Sequence, residues 1–133
     1  MTKPIAPLVG CDVFVLNKQS KLLLIKRSDN GLWALPGGCH DLGITPKRCA
    51  ERECLEETGI IVNCTDLIGV YSSNCYPYIH YPWKNNEFVH LLFMAEIKGG
   101  SESTSAETSA VKWFDQDRIP DLSDGHDARI RDG

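Results

Sequence analysis

One helix in the middle of the chain is marked at both ends by its sequence, and this segment constrains the fold most. Thr45 offers a side-chain hydroxyl for the N-cap, and Pro46 follows it at the first helical position. Gly59 supplies the residue type that most easily adopts the left-handed conformation beyond a helix end. These signals predict a helix over Pro46–Thr58.

Short apolar runs on both sides of this helix predict β-strands. The predicted strands are residues 8–16, 21–27, 60–71, 88–98 and 111–114. Polar residues at 63–66 predict an interruption in the third of them. Strands therefore outnumber helices, which predicts an α/β fold with helices packed against a mixed sheet.

The remaining segments are predicted mostly as connections. Residues 33–38 are expected to form a loop or a short strand, and residues 72–86 a long loop dense in aromatic side chains. Residues 99–109, rich in Ser, Thr and Gly, are expected to form an exposed loop. Residues 115–119 suit a helical turn, and the last ten residues suit a short helix.

The chain has the size and composition of one globular domain. It contains 133 residues, of which 42% are hydrophobic and 24% charged. It shows no internal repeat and no linker long enough to separate two units. We therefore expect one domain over residues 1–133.

The overall charge limits the partners of the chain. Its net charge is −4, whereas binding of a nucleic-acid polymer rests on a basic face. A nucleotide remains compatible, because metal ions hold phosphates locally. No run approaches the roughly 20 apolar residues of a membrane span, so no membrane partner is expected. Without a signal-peptide pattern or a zinc-ligand spacing among the six cysteines, we expect a cytoplasmic protein with reduced thiols.

Three glutamates crowd one face of the predicted helix. Glu53, Glu56 and Glu57 are related by i, i+3 and i+4 and fall within an arc of about 100°. Like charges at this spacing repel, so something must offset the repulsion. One candidate is solvent together with Arg48 and Arg52, and the other is Mg²⁺ or Mn²⁺, which prefer oxygen ligands. Taken alone, the pattern favours the solvated face.

The longer segment 38–60 resembles the signature of the Nudix hydrolases. Eight of the nine specified signature positions are met, counting Cys54 as the hydrophobic one: Gly38, Arg52, Glu53, Cys54, Glu56, Glu57, Gly59 and Ile60. The preceding residues 33–37 are also similar to the usual approach to this signature. The resemblance implies a Nudix-type α/β/α sandwich with a mixed β-sheet and a metal-dependent hydrolase.

The first glutamate of the signature is replaced by Ile44 in this chain. In the family that carboxylate lies near the metal and the signature arginine. Its loss leaves Arg52 with one fewer partner, which Asp41 in the same loop is placed to compensate in part. The replacement is either tolerated, or it reduces activity, alters metal preference or leaves a domain that binds without hydrolysing.

The resemblance also implies roles for individual residues. Glu56 and Glu57 match the principal ligands of Mg²⁺ or Mn²⁺, and Glu53 matches a further ligand. Glu53 and Glu57 are both candidates for the catalytic base, and Glu57 is slightly preferred. Arg52 matches the residue that orients a glutamate through a salt bridge. The glycines at 37–38 would let the backbone approach metal or phosphate closely. Together these residues would activate a water molecule for attack on a phosphorus atom.

Many members of the family place a further acidic residue beyond the signature. Glu107 is the candidate here, six residues before Trp113. Glu87, Glu96 and Glu102 compete with it for this catalytic role. An exposed charge on a loop is an equally good interpretation of Glu107.

The sequence defines the substrate pocket less clearly than the metal site. The aromatic residues around the long loop are available to stack on a nucleobase, to pack on one another or to form a homodimer contact: Tyr71, Tyr76, Tyr78, Tyr81 and Trp83. In the family, a proline near the position of Pro77 is associated with ADP-ribose pyrophosphatases, and a tyrosine near Tyr76 and Tyr78 with dinucleoside polyphosphate hydrolases. These two indications conflict.

The sequence thus predicts hydrolysis of a phosphoanhydride bond in a nucleoside diphosphate linked to a group X. ADP-ribose or a nucleotide sugar is preferred to a nucleoside triphosphate. The alternative is a catalytically impaired Nudix domain that acts as a nucleotide-binding or regulatory module.

Overall fold

The computed structural model describes residues 8–72, 88–122 and 126–133, except for the side chains of Asp127 and Ala128. Seven strands and two helices occur in this part of the chain. In chain order they are β1 (Leu8–Val15), β2 (Leu22–Arg27), β3 (Trp33–Ala34), β4 (Gly37–Cys39), α1 (Pro46–Thr58), β5 (Ile60–Ser72), β6 (Phe88–Gly100), β7 (Thr108–Phe114) and α2 (His126–Asp132).

The strands form two sheets. The larger sheet has the order β4-β1-β6-β5, with β1 parallel to β6 and the other pairs antiparallel. The smaller sheet has the order β3-β2-β7 and is antiparallel throughout. The predicted mixed sheet is therefore present, and a second sheet that the sequence did not predict accompanies it.

Helix α1 has the predicted bounds, because its end signals are local. Thr45 adopts an extended conformation and its Oγ1 accepts a hydrogen bond from the Arg48 N–H at 3.2 Å. Gly59 takes the left-handed conformation, with φ of 78°, and its N–H donates to the Leu55 carbonyl at 2.9 Å.

The core lies on both faces of the larger sheet. Cys11, Val13 and Val15 alternate along β1 and pack with buried residues of α1. Phe14 lies on the opposite face and packs in a second cluster to which Ile130 of α2 belongs. The two helices thus cover opposite faces, which confirms the predicted α/β/α arrangement.

Residues 33–38 connect the two sheets. The predicted loop or short strand is two short strands, β3 in the smaller sheet and β4 in the larger one. Leu35 and Pro36 lie between them. The Val13 N–H donates to the Pro36 carbonyl at 2.9 Å, and the Leu35 N–H donates to His126 Nδ1 at 3.2 Å. This connector is therefore attached to both β1 and α2.

Other segments differ from the prediction in detail. The expected interruption at residues 63–66 is a register shift between Cys64 and Asp66 within a continuous β5. The expected loop at 99–109 is shorter, because β6 reaches Gly100 and β7 begins at Thr108. The long loop predicted from residue 72 lies outside the described residues beyond Ser72.

The C-terminal part of the chain agrees better with the prediction. Residues 115–119 contain a turn in which the Arg118 N–H donates to the Asp115 carbonyl at 2.9 Å. The last ten residues contain α2, as the sequence suggested. Of the two described helices, neither combines the length and the apolar character that crossing a membrane requires.

Candidate active site

A cleft of about 720 Å³ opens between the two sheets. Its walls come from both sheets, from both helices and from the segment before β7. Five of the residues predicted for the site line it: Gly37, Gly38, Glu53, Glu57 and Glu107. The fold thus brings the glycine pair, two helix carboxylates and the distant Glu107 into one space.

Glu57 is the most buried carboxylate of α1. Its exposed fraction is 7%, and its Oε1 accepts a hydrogen bond of 2.8 Å from the Gly37 N–H. Burial raises the pKa of Glu57 well above its usual range, against the effect of the Gly37 hydrogen bond. The charges of Glu53, Asp12 and Glu107 raise this pKa further. The cleft therefore disfavours the ionised form of Glu57 in the absence of a bound cation.

Glu53 lies one helical turn before Glu57 and is also largely enclosed, with 16% of its side chain exposed. Burial raises its pKa, and the neighbouring charge of Glu56 adds to the effect, although Arg52 opposes it. A Cβ atom on Gly38 would lie 2.6 Å from Glu53 Cδ. Glycine at 38 therefore leaves room for this carboxylate.

Gly37 is required for a different reason. A Cβ atom there would meet the Asp12 side chain and would lie 2.8 Å from Asp12 Cα. The predicted function of these glycines, close approach of metal or phosphate, stays a prediction. The structure shows that the missing side chains at Gly37 and Gly38 leave room for Asp12 and Glu53.

Arg52 and Glu56 lie on the flank of α1 and do not line the cleft. Arg52 Nη2 contacts Asp41 Oδ2 at 2.5 Å and lies 3.6 Å from Glu53 Oε1. Arg52 Nε lies 3.6 Å from Glu56 Oε1, and 58% of the Glu56 side chain is exposed. The three helix glutamates are thus split, with two in the cleft and Glu56 beside the arginine.

Ile44 occupies a position quite different from that of a ligand. Its side chain is partly buried and packs against the core cluster under α1. Its carbonyl is 2.6 Å from His40 Nε2, which fixes the loop before the helix. Asp41 lines the cleft and pairs with Arg52, as the sequence suggested for a compensating carboxylate.

Among the acidic residues considered beyond the signature, Glu107 alone of those described lines the cleft. Its carbonyl accepts a hydrogen bond from the Ser28 N–H at 3.1 Å, which attaches this segment to the end of β2. Glu96 pairs with Lys98 at 2.9 Å, and Glu102 accepts a hydrogen bond from Trp113 Nε1 at 2.7 Å. Glu87 lies outside the described residues.

A buried polar cluster in the cleft was not found from the sequence. Asp12 Oδ2 lies 3.1 Å from His90 Nδ1 and 3.5 Å from Nε of the fully buried Arg129. Burial alone would raise the pKa of Asp12, but attraction to His90 and Arg129 lowers it below its usual range. The available signal was a charged residue in the middle of the apolar strand β1, because such a residue needs partners.

His126 lines the cleft from α2, on which Arg129 also lies. Its Nδ1 accepts the hydrogen bond from the Leu35 N–H, so this nitrogen carries no proton. Burial lowers the pKa of His126 well below its usual range, and the charge of Arg129 adds to the effect. The ring is therefore neutral at pH 7 and fixed in one tautomer.

The donor chemistry of the cleft fits a hard divalent cation. Glu53, Glu57 and Glu107 supply carboxylate oxygens, and the charge of Glu107 raises the pKa of both Glu53 and Glu57. Within residues 8–72, 88–122 and 126–133, no three His, Cys, Asp or Glu side chains are arranged to hold one ion by themselves. Mg²⁺ typically takes only one or two carboxylates and completes its shell with substrate phosphates and water. The residues therefore suit an ion that is shared with the substrate.

Tyr71 is not part of the cleft lining. It packs beside the second core cluster, and its hydroxyl donates to Asp132 Oδ2 at 2.8 Å. Tyr76, Tyr78, Tyr81, Trp83 and Pro77 all lie outside the described residues. The predicted aromatic contact with a nucleobase therefore stays a prediction.

Comparison with known proteins identifies the family. The family model described as NUDIX domain matches residues 6–132. A MutT-like protein of Streptomyces ambofaciens is 39% identical over 105 residues, which are 79% of this chain and 62% of that protein. An ADP-ribose pyrophosphatase of Methanocaldococcus jannaschii is 34% identical over 123 residues, or 89% of this chain and 68% of that protein. The chain thus spans about two thirds of the length of these relatives.

A solved structure agrees with the sequence relatives. The crystal structure of a MutT NUDIX hydrolase from Burkholderia pseudomallei is similar with a TM-score of 0.79 and 27% identity. The similarity covers 96% of this chain and 98% of that one. A UDP-X diphosphatase, 22% identical with a TM-score of 0.79, shares the fold. From the match over residues 6–132 and these relatives, the chain belongs to the NUDIX domain family.

Proposed function

We propose that this protein hydrolyses a phosphoanhydride bond in a nucleoside diphosphate linked to a group X, with Mg²⁺ or Mn²⁺ as cofactor. The observation that carries the proposal is the convergence of Glu53, Glu57 and Glu107 in one cleft beside the glycine pair. The reaction adds one water across the anhydride and yields a nucleoside monophosphate and the phosphate of X.

The carboxylates of α1 have different roles in this proposal. Glu57 and Glu53 hold the cation from the cleft, and one of them takes the proton of the attacking water. The cation, when bound, neutralises charge on the substrate phosphates and acts as a Lewis acid. Glu56 completes the proposed ligand set, which requires its carboxylate to leave Arg52. Glu107 approaches the same space from the segment before β7.

The raised pKa of Glu57 suits the role of a ligand or base once the cation is present. Without a cation, burial and the charges of Glu53, Asp12 and Glu107 favour its protonated form. A bound divalent ion reverses this preference, because it stabilises the ionised carboxylate. Cation binding and deprotonation of Glu57 are therefore coupled in the proposal.

The rest of the cleft suits the nucleoside part of such a substrate. Ile25, Leu35 and Phe88 provide apolar lining, and His90 and His126 provide polar groups next to it. Pockets for small ligands commonly combine an apolar lining with a few polar groups. The phosphates would then lie toward the glutamates and the nucleoside toward the two histidines.

ADP-ribose or a nucleotide sugar is our preferred substrate class, ahead of nucleoside triphosphates. The support is the relative from Methanocaldococcus jannaschii, which is named an ADP-ribose pyrophosphatase and is 34% identical. We expect the substrate to be a small nucleotide, since the chain carries a net charge of −4.

The experiment is a hydrolysis screen with product analysis by chromatography. ADP-ribose, a UDP-sugar and the nucleoside triphosphates are incubated with the protein and Mg²⁺, and in parallel with EDTA. We expect nucleoside monophosphate from a diphosphate derivative in the Mg²⁺ samples only. Absence of metal-dependent product over the whole panel would overturn the proposal.

A nucleotide-binding or regulatory module is the second candidate, and Ile44 is the observation that favours it. An apolar side chain packs on the core where the family signature has a carboxylate. This candidate predicts calorimetric binding of ADP-ribose without turnover. Metal-dependent product in the same screen excludes it.

A further inference from the structure

Residues 101–107, which join β6 to β7, are attached to the last turn of α1. The Ser103 N–H donates a hydrogen bond to the Thr58 carbonyl at 2.7 Å. Thr58 is the last residue of α1, and the last carbonyls of a helix have no partner within the helix itself. The segment therefore supplies a hydrogen bond at the helix end that carries Glu57.

Gly59 makes room for this attachment in addition to ending the helix. Its left-handed conformation, with φ of 78°, is one reason for glycine at this position. A second reason is that a Cβ atom on Gly59 would meet the Ser101 carbonyl and would lie 2.5 Å from Ser103 Oγ. Residues 101–103 therefore pack directly against the backbone beyond α1.

The other end of the segment is attached to the end of β2. The Glu107 carbonyl accepts a hydrogen bond from the Ser28 N–H at 3.1 Å. The backbones of Ser105 and Thr108 exchange two hydrogen bonds of 3.2 Å, which closes a tight turn with Ala106 and Glu107 at its tip. Both residues of the tip line the cleft. Because only residue 104 separates Ser103 from this turn, the bond at Ser103 limits where Glu107 can lie.

The attachment fixes Glu107 relative to the helix that carries the other two cleft carboxylates. Thr58 directly follows Glu57, and Glu53 lies one helical turn before Glu57. All three carboxylates line the same cleft, and the charge of Glu107 raises the pKa of both Glu53 and Glu57. A shift of the segment along α1 would therefore change the distances from Glu107 to both helix carboxylates.

We propose that Ser103 is a positioning residue whose backbone N–H, bound to the Thr58 carbonyl, holds Glu107 where it acts together with Glu53 and Glu57 on a divalent cation and its substrate. The inference rests on the proposed function, since it concerns the same carboxylates. Ser103 does not line the cleft and acts only through Glu107. Loss of its N–H releases the segment from α1 and withdraws Glu107 from the site.

The test removes the N–H of Ser103 by Ser103→Pro, and Ser103→Ala, which keeps the N–H, is the matched control. Free Mn²⁺ followed by electron paramagnetic resonance gives the Kd for Mn²⁺, and product analysis gives the rate of ADP-ribose hydrolysis. Loss of a group that orients a residue of a metal site typically costs 10- to 100-fold in metal affinity or activity. We therefore expect Ser103→Pro to raise the Kd and lower the rate by about tenfold each. Ser103→Ala should change both by less than about twofold.

A second background separates positioning of Glu107 from a general effect on the fold. In Glu107→Gln there is no carboxylate to position, so adding Ser103→Pro should change the Kd and the rate by less than about twofold. A further tenfold loss in that background would mean that Ser103 acts on something other than Glu107, and would overturn the proposal. Thermal melts without metal report whether each variant is folded. If Ser103→Pro does not fold, the α-hydroxy acid analogue of Ser103, which replaces only the N–H by oxygen, takes its place in both backgrounds.

The outcomes distinguish this inference from the proposed function. If the wild type neither binds Mn²⁺ nor hydrolyses any nucleotide, both are overturned. If the wild type does both and a folded Ser103→Pro variant does so equally well, only the positioning role of Ser103 is overturned.

Discussion

The backbone N–H of Gly37 donates a hydrogen bond of 2.8 Å to Oε1 of Glu57, across 20 positions of the chain. This bond joins the short strand β4 to the last turn of α1. It also commits one oxygen of the most buried helix carboxylate before any ligand arrives. The cleft is therefore partly organised by the protein itself, and the charge of Glu57 has consequences that can be measured.

The first prediction concerns stability and pH in the absence of metal. The pKa of Glu57 is raised above its ordinary value of about 4.3, so the stability linked to its proton is present at pH 4 and is lost as the pH rises through the folded-state pKa. We expect Glu57→Gln to melt at least about 2 °C above the wild type at pH 8, and much closer to it at pH 4.

Thermal melts in EDTA from pH 4 to pH 8 measure this difference. Glutamine keeps an oxygen that accepts from Gly37, so the comparison isolates the charge. A difference between the two proteins that does not change with pH would show that the ionisation of Glu57 does not influence stability.

The second prediction concerns catalysis by the same residue. Glu57→Gln should lower the metal-dependent rate by at least about tenfold, because general base catalysis typically contributes about 10²–10⁴-fold and a cation ligand is lost as well. Initial rates at saturating substrate and Mg²⁺ measure the effect. Glu96→Gln serves as the control and should keep the wild-type rate. A Glu57→Gln enzyme of normal rate would remove Glu57 from the mechanism.

The third prediction compares two glutamates from the segment between β6 and β7. Glu107 lines the cleft, whereas Glu102 is exposed and bonded to Trp113 Nε1. We expect Glu107→Gln to lower the rate by about tenfold, the lower part of the range for lost acid–base or ligand groups. Glu102→Gln should change it by less than about twofold, as expected of a surface position. Equal effects of the two changes would contradict a special role for Glu107.

The fourth prediction separates the two glycines. A methyl group on Gly38 meets the far end of the flexible Glu53 side chain, whereas one on Gly37 meets backbone atoms of Cys11 and Asp12. Gly38→Ala should therefore stay folded but displace the Glu53 carboxylate and weaken Mn²⁺ binding. Gly37→Ala should lose about 1–3 kcal/mol of stability, the usual cost of overpacking.

Chemical denaturation and the Mn²⁺ titration together test this contrast. The ordering is contradicted if Gly38→Ala proves the less stable of the two variants. It is also contradicted if Gly38→Ala binds Mn²⁺ as tightly as the wild type does.

The fifth prediction concerns Ile44. Ile44→Glu should raise the hydrolysis rate or tighten Mn²⁺ binding, because it adds a carboxylate to the loop that leads into α1. It should also lower stability by about 1 kcal/mol, since Ile44 is partly buried against the core. If both rate and affinity are unchanged, the position is merely tolerant. Ile44→Gln gives the same loss of packing without the charge and is the control.

The sequence predicted the parts of the molecule that depend on neighbouring residues. Thr45, Pro46 and Gly59 mark the ends of α1 by local chemistry, and the spacing of Glu53 and Glu57 follows from helix geometry. Glu107 was a candidate among several, and its place in the cleft depends on the pairing of β7 with β2.

The buried cluster around Asp12 shows why the rest was missed. Asp12, His90 and Arg129 come from β1, β6 and α2, and they meet only after β1 and β6 pair in parallel. No spacing in the sequence predicts that these three residues contact one another. The second sheet was missed for the same reason, since two-residue strands such as β3 carry no periodicity of their own.

The two-residue connector at Leu35 and Pro36 limits how this fold can diversify. The connector is attached to β1 through Val13 and to α2 through His126, and these two hydrogen bonds hold the two walls of the cleft at a fixed distance from each other. Inserting a single residue there would shift β4 by one position, so that each of its residues would point to the opposite face of the sheet. Gly37 would then be turned away from Glu57. The segment at residues 101–107 joins two strand ends at the rim and is attached only at separate points, from the Ser103 N–H to the Thr58 carbonyl and from the Ser28 N–H to the Glu107 carbonyl, so a change of length between these points leaves both walls in place. Natural variation in substrate range, and any laboratory attempt to change it, should therefore begin at the rim and leave the connector at its present length.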